Sequence, residues 1–195
     1  KEIQAIFETS EPVTEEAKIF KYGTGPQMVM QVINASVPGS AKTFIENDFF
    51  GELGITNYSW QTAASGLPES GWKVSVTSRD MAKLGVLTVQ DGQWQGEQLI
   101  SQLFITKAVT RIIDTGDDDI FGGGKDVSEQ GYGYFWWGAD FAHKGKKYAS
   151  ASAQGGGGMY IILVKELDLV VVVTAHHRDD ITLQLTAEKI LPAFL

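Results

Sequence analysis

Ser70 and Lys73 stand three residues apart in "SGWK". On a helix that spacing lets the lysine take the proton of a serine one turn away. A serine activated in this way attacks an acyl carbon and holds it as a covalent ester. The chemistry requires a helix, and here Gly71 and the alternating "KVSV" argue for a strand. On a strand the two side chains face opposite ways and lie roughly 10 Å apart, so the pair is not read as nucleophile and base. Tyr22, in "FKYGTGP", is a second candidate, because a phenol serves as acid or base once cationic neighbours lower its pKa. Four consecutive glycines, Gly155 to Gly158, are the third. A phosphate-binding glycine loop opens into a helix and carries a lysine at a fixed offset. Gly158 leads instead into "MYIILV", a strand pattern with no such lysine, so a nucleotide site is not expected.

Metal chemistry is poorly served as well. Asp114, Asp117, Asp118 and Asp119 lie in an acidic, glycine-laden loop, 114–131. They lack the alternating spacing and central glycine of a helix-loop-helix calcium site. "GGGKD", 122–126, resembles one calcium-binding nonapeptide, but a single copy cannot build a stacked site. Like charges among glycines read as a solvated loop. His176 and His177 are adjacent at the end of an apolar run, where strand geometry sends them to opposite faces, and His143 in "AHKGKK" reads as a hairpin turn. Neither a metal nor another cofactor is expected.

The composition narrows the partners. The chain has 195 residues, 43% hydrophobic and 21% charged, which describes a globular protein with one full core or two small ones. A net charge of −8 disfavours nucleic acid and anionic membrane surfaces. The apolar run from Met159 is broken by Lys165, Glu166 and Asp168, well short of the roughly 18 residues a membrane span needs. Cysteine is absent, which removes disulfides and thiol catalysis. The sequence opens on Lys1 with no initiator methionine and reads as a piece of a longer protein.

Those residues must be positioned by helices first and a sheet later. Residues 1–25 read as irregular. Pro26 suits a first helical turn, and Met28, Val32 and Ala35 or Ser36 follow at helical spacing. A second helix is predicted after Pro38-Gly39-Ser40, with Phe44, Phe49 and Phe50 on its apolar face, closing near Gly51 to Gly54. "WKVSV" alternates like a strand, and Thr77-Ser78-Arg79-Asp80 resembles a capping box opening the next helix. Asp91-Gly92 reads as a turn and Glu97 to Val109 as a further helix. "YGYFWWGADF", "KKYASASA", "MYIILVKE" and "LDLVVVVTA" are four strand-like segments joined by turn-sized links, which predicts an antiparallel meander. A last helix is predicted to pack on that sheet through Leu183, Ala187, Ile190, Leu191 and Phe194. The fold class expected is α+β, an antiparallel sheet of C-terminal strands packed by helices.

Taken in order, several segments resemble one family. "IFKYGTGPQMVMQVINASVPGSAKTFIENDFFGELGITNYSW", "TSRDMAKLGVLTVQDGQWQGEQLIS", "GYGYFWW" and "GGGGMYIILVKELDLVVVVTA" are similar to successive parts of the serine β-lactamase-like hydrolases. The nearest subgroup comprises class C β-lactamases, esterases, D-alanyl peptidases and 6-aminohexanoate-dimer hydrolases. The resemblance implies a partial β-lactamase/transpeptidase-like fold: a single C-terminal fragment, with 1–110 mainly helical and 131–195 forming strands and a final helix. It implies an acyl-transferring hydrolase of amides, esters or β-lactams, acting on a small-molecule or peptide-like acyl substrate.

Carried onto this sequence, the family's Tyr-x-Asn motif puts its catalytic tyrosine at Tyr22 and its asparagine at Thr24, a departure. The strand motif beside the active site falls on Ala153, Gln154, Gly155 and Gly156, without the lysine or histidine usual there. These four would floor the acyl pocket, and a backbone amide among them could supply an oxyanion donor. The family's Ser-x-x-Lys precedes its tyrosine, whereas "SGWK" follows Tyr22. The chain alone is therefore expected to be inactive. Its apolar surface should be covered by the missing N-terminal part of the same hydrolase or by a second copy. Family members are commonly exported, which points to the periplasm. The competing expectations are a non-catalytic binding module that kept the fold and a self-contained α+β protein with an accidental likeness.

Overall fold

The computed structural model describes all residues except 1, 13, 15–19, 21, 116–122 and 177–180. The chain divides into two compact units, Lys1–Ser75 and Val76–Leu195.

In the first unit, α1 spans Glu2–Thr9, so the leader is not wholly irregular. Helix α2 covers Gly25–Ser36, with Pro26 in its first turn as its fixed φ favours. Its buried residue is Met30, and Val32 is exposed rather than packed. Ser40 caps α3, Ala41–Phe44, by accepting the Thr43 N–H at 3.1 Å. The helix then widens into a π turn, Ile45–Phe50, which buries Phe50 and leaves Phe44 exposed. Phe50 packs edge-on against Tyr58 and stacks on Trp60, both in strand β1, Tyr58–Trp60. The Tyr58 hydroxyl donates to Glu46 at 2.8 Å, and that bond raises the phenol's pKa above its ordinary value. Strand β2 is only Val74–Val76, shorter than "WKVSV" suggested. Gly71 and Lys73 both take left-handed backbone conformations, which bend the chain before the strand can start.

The second unit opens with α4, Ser78–Val89. Thr77 caps it twice over, accepting the Asp80 N–H at 3.2 Å and donating to the Asp80 carboxylate at 2.7 Å. Strands β3, Gln93–Trp94, and β4, Glu97–Gln98, form a small hairpin where a helix from Glu97 was expected. The reason lies at Gly92, at φ 83, whose carbonyl accepts the N–H groups of both Leu99 and Ile100 and folds the chain back. Only Gln102–Val109 remains helical, as α5.

The rest is one six-stranded antiparallel sheet: β5, Ile113–Asp114; β6, Val127–Tyr132; β7, Trp137–His143; β8, Lys146–Gly155; β9, Met159–Val164; and β10, Leu169–Val173. Each strand pairs with its neighbour in sequence, so the expected meander is present, two strands wider than predicted. The extra strands come from the acidic loop, 114–131, part of which is β6; Asp117, Asp118 and Asp119 lie outside the described residues. One sheet face, with Phe141, Tyr148, Ile162 and Val171, packs on Leu183, Ala187 and Leu191 of the C-terminal helical segment. That segment runs as α6, Thr182–Leu185, a π turn over Thr186–Ile190 and a 3-10 turn over Leu191–Phe194. Tightening around Pro192 turns Phe194 outward, so it is exposed and not part of the core. The other face meets α4 through Ile161, Leu163 and Val89. Gly85 permits the close approach: a Cβ there would overlap Val170 Cγ1 and stand 3.0 Å from Ile161 Cγ2. The architecture is α+β, an antiparallel sheet with helical segments on both faces.

Candidate functional site

The residues singled out from sequence fall in both units. Tyr22 and Thr24 belong to the first unit, just ahead of α2. Tyr22 is 45% exposed. Thr24 is the N-cap residue of α2, but its side chain makes no capping bond, and only its carbonyl is used, by the Met28 N–H at 3.4 Å. Ser70 and Lys73 lie in the bend before β2, in no helix, so the geometry that would let the lysine activate the serine is missing.

Ala153, Gln154, Gly155 and Gly156 are brought together at the end of β8 in the second unit. Their strand lies inside the sheet, since β7 flanks one side of β8 and β9 the other. The pairing is staggered, however. Strand β7 reaches β8 only as far as the Trp137–Ser152 pair, whereas β9 continues to Gly155. The glycines themselves make the β8–β9 turn. Gly155 accepts the Gly158 N–H at 3.0 Å, with Gly158 at φ 88, and the Met159 side chain lies across Gly155 and Gly157. Since Gly155 turns its carbonyl to this bond, ladder alternation directs the N–H and C=O of Gln154 to the opposite side, where β7 has ended. The backbone of Gln154 is thus left unpaired by β7 over a single step of strand.

The Gln154 side chain is held in place. Its Nε2 donates to Ser152 Oγ at 2.8 Å, and Ser152 Oγ donates to the Trp137 carbonyl at 3.5 Å. The Gln154 Oε1 is buried and makes no hydrogen bond. Ala153 packs toward α4 in the same apolar cluster as Trp136.

What ends β7 is the turn before it. The Gly133 N–H donates to the Trp136 carbonyl at 2.8 Å, and the Tyr134 N–H donates to the Ala108 carbonyl at 3.0 Å. A Cβ on Gly133 would overlap the Ala108 oxygen and lie 2.6 Å from that of Thr110, so only glycine lets this turn dock on the end of α5. Beside it, Arg111 lies across Gly131 and Gly138, which face each other in β6 and β7. Its guanidinium pairs with Asp140 at 2.8 Å and donates to the Glu129 carbonyl. A Cβ on Gly138 would collide with the Arg111 stem.

Sequence reading missed this buttress and the aromatic side chains it carries; the run "YGYFWW" was its one visible sign. Elsewhere, His143 precedes the β7–β8 turn as expected. His176 lies beyond β10, which stops at Val173, and His177 is outside the described residues. Among the described residues no acidic, histidine or cysteine cluster could hold a metal ion, and no helix is long and apolar enough to cross a membrane. A cleft of about 630 Å³ lined by Gln90, Asp91, Gln93, Gln95, Gly96 and Gln102 contains none of the candidate residues. Asp91 also forms an ion pair with Lys165. In α4, hydrogen bonds from Lys83 and then Thr77 hold the Asp80 carboxyl below its ordinary pKa.

No family model matches the sequence. No curated protein matches it either. Among solved structures the chain is similar to a Bacillus anthracis protein assigned as a 6-aminohexanoate-dimer hydrolase, with a TM-score of 0.68 and 13% identity. The match covers 98% of this chain and 47% of that one, so this chain spans about half the length of its structural neighbour. At that identity the likeness establishes the fold.

Proposed function

We propose that this chain is the C-terminal part of a serine hydrolase of the β-lactamase-like type, cleaving an amide, ester or β-lactam through an acyl-enzyme. The observation that carries the reading is the strand end at Gln154, whose backbone β7 does not pair and which the glycine turn follows directly. The fold shared with a hydrolase-assigned neighbour supports it.

In this reading the nucleophilic serine comes from a part of the protein outside these 195 residues. Its hydroxyl adds to the substrate carbonyl, and its proton passes to a general base and on to the leaving group, the role that the resemblance gives to Tyr22. The carbonyl oxygen gains negative charge as the tetrahedral intermediate forms. The Gly156 N–H, in the turn that follows β8, is one donor to it. Gln154 offers its backbone N–H and C=O to the substrate amide on the side where β7 has ended. Ala153 and Gly155 form the floor, and Thr24 contributes a hydroxyl beside the tyrosine in place of the usual carboxamide.

Labelling with a fluorophosphonate probe tests this. The purified chain should not label, while a form extended upstream in its gene should, and Tyr22→Phe in the extended form should lower kcat by about 10²-fold or more. Labelling of the short chain at Ser70 would overturn the assignment of the nucleophile. No labelling of either form would favour the binding module, which the loss of the motif's asparagine and lysine also suits.

A further inference from the structure

The turn that ends β7 carries an unusual residue. Phe135 stands at φ 64. At a turn position of that kind glycine or asparagine is the ordinary occupant, because a side chain with a Cβ is strained there. The other non-glycine residues with positive φ among those described are lysine, aspartate, glutamine and glutamate, all polar. Phe135 is the exception, and its ring is not buried in compensation: it is 43% exposed. Tyr134, beside it, is also exposed and packs against the exposed ring of Phe104, with centroids 5.9 Å apart. The turn is fixed from below by the Gly133 and Tyr134 hydrogen bonds, so the strain is imposed by the support beneath it.

The position of this turn gives the strain a use. Trp137 and Ser152 are the last paired residues of β7 and β8, and Phe135 and Gln154 each lie two residues beyond that pair. The two strands part there, leaving the Gln154 backbone groups on one bank and the Phe135 turn on the other. Trp136 and Ala153, one residue nearer, both pack against the apolar cluster of Val89, Ile161 and Leu163.

We infer that Phe135, next in sequence to the Tyr134 that pairs with Phe104, is an apolar wall that receives an aromatic or long aliphatic group on the carbonyl side of a neutral amide or ester held at Gln154. The amide of such a ligand reaches the open backbone of Gln154 while its apolar group lies against the strained ring. This rests on reading the end of β8 as the substrate wall, and it adds the substrate class: acyl groups with a large apolar substituent.

Two neutral probes separate the contributions, phenylacetamide and acetamide, titrated into the 195-residue chain and followed by amide chemical shifts. Phenylacetamide should shift the signals of residues 134–137 and 153–156 in one saturable process, and acetamide should not reach saturation over the same range. In Phe135→Gly the left-handed strain is relieved, so the melting temperature should rise by about 2 °C or more. The same variant should bind phenylacetamide about tenfold more weakly, the factor given by 1.4 kcal/mol. Stabilisation together with lost affinity marks strain kept for binding. Unchanged affinity in Phe135→Gly would overturn the inference, as would the absence of phenylacetamide shifts in the unaltered chain. If Phe135→Gly does not fold, Phe135→Asn, which tolerates the same backbone, and Phe104→Ala read the affinity instead. Conversion of a dimer to monomer by Phe135→Gly, without any ligand shift in the parent, would assign the wall to a second copy and refute the substrate role. Because no turnover is measured, binding at this wall with no labelled serine in the extended protein would retain the wall and discard the hydrolase.

Discussion

Replacing Gly85 with alanine sets two opposed effects against each other inside α4. Alanine is favoured over glycine in a helix interior by about 1 kcal/mol, so on propensity alone the change stabilises. The new methyl, however, overlaps Val170 Cγ1 and approaches Ile161 Cγ2 to 3.0 Å and Leu163 Cδ2 to 3.5 Å. Val170 is stiff about χ1, and forcing it off its rotamer costs about 0.5–1.5 kcal/mol. Moving α4 away instead loosens the cluster of Val89, Ile161 and Leu163. Overpacking of this kind costs about 1–3 kcal/mol, and a direct overlap with a stiff side chain puts it at about 2–3 kcal/mol, so against the helix propensity Gly85→Ala destabilises by about 1–2 kcal/mol net. At about 2–4 °C per kcal/mol the melting temperature falls by roughly 2–8 °C. Urea unfolding followed by tryptophan fluorescence and far-ultraviolet circular dichroism reads the midpoint. The control is Val170→Ala, which removes the clashing methyl: in the Gly85→Ala background it should cost at least about 1 kcal/mol less than alone. A raised midpoint for Gly85→Ala, or no coupling between the two changes, would refute the close approach of α4 to the sheet.

Asp80→Asn should destabilise the second unit by about 1 kcal/mol at neutral pH, since the Thr77 cap and the Lys83 ion pair both use the carboxylate. The folded pKa of Asp80 lies below its unfolded value, so its stabilisation is present above the unfolded pKa of about 3.9 and lost as pH falls through the lower folded one. Thermal melts from pH 6 downward should therefore show a smaller acid-induced loss in the variant, and an equal loss would count against the cap. Gly138→Ala should drive Arg111 off the sheet and weaken its pair with Asp140, at a cost of about 1–3 kcal/mol. Faster amide exchange across β6 and β7 is the expected sign, and unchanged exchange would remove Arg111 as their support.

The parts of the fold legible in the sequence are those decided by local chemistry. Thr77 and Asp80 announce α4, Ser40 announces α3, and Pro26 announces α2, because caps and first turns act through residues three or four apart. Strands β7 to β10 are visible as β-branched and aromatic runs cut by glycine turns. Strand β6 is not, since "VSEQGY" has little alternation and is recruited by the Gly131–Gly138 pairing and the Arg111 stem laid over it. The hairpin at Gln93 to Gln98 was hidden for a related reason: its residues suit a helix, and the fold-back depends on the Gly92 carbonyl. Within the candidate site, the run from Ala153 to Gly156 drew notice as a run of small residues. The opening at Gln154 could not be read, because it depends on where β7 stops, and Gly133 decides that by docking on α5.

Because each strand from β5 to β10 pairs with its neighbour in sequence, the sheet can assemble hairpin by hairpin, with short closures and little loop entropy at each step. Its packing against the C-terminal segment is of a different kind, for Asp126 and Gln184 join across a separation of 58 residues. During synthesis the sheet can therefore be finished while the face bearing Phe141, Ile162 and Val171 has nothing to lie against. A chain in which only residues up to Val173 have folded would hold a completed sheet with one bare side. Chaperone capture and aggregation compete for that state until Leu183, Ala187 and Leu191 arrive.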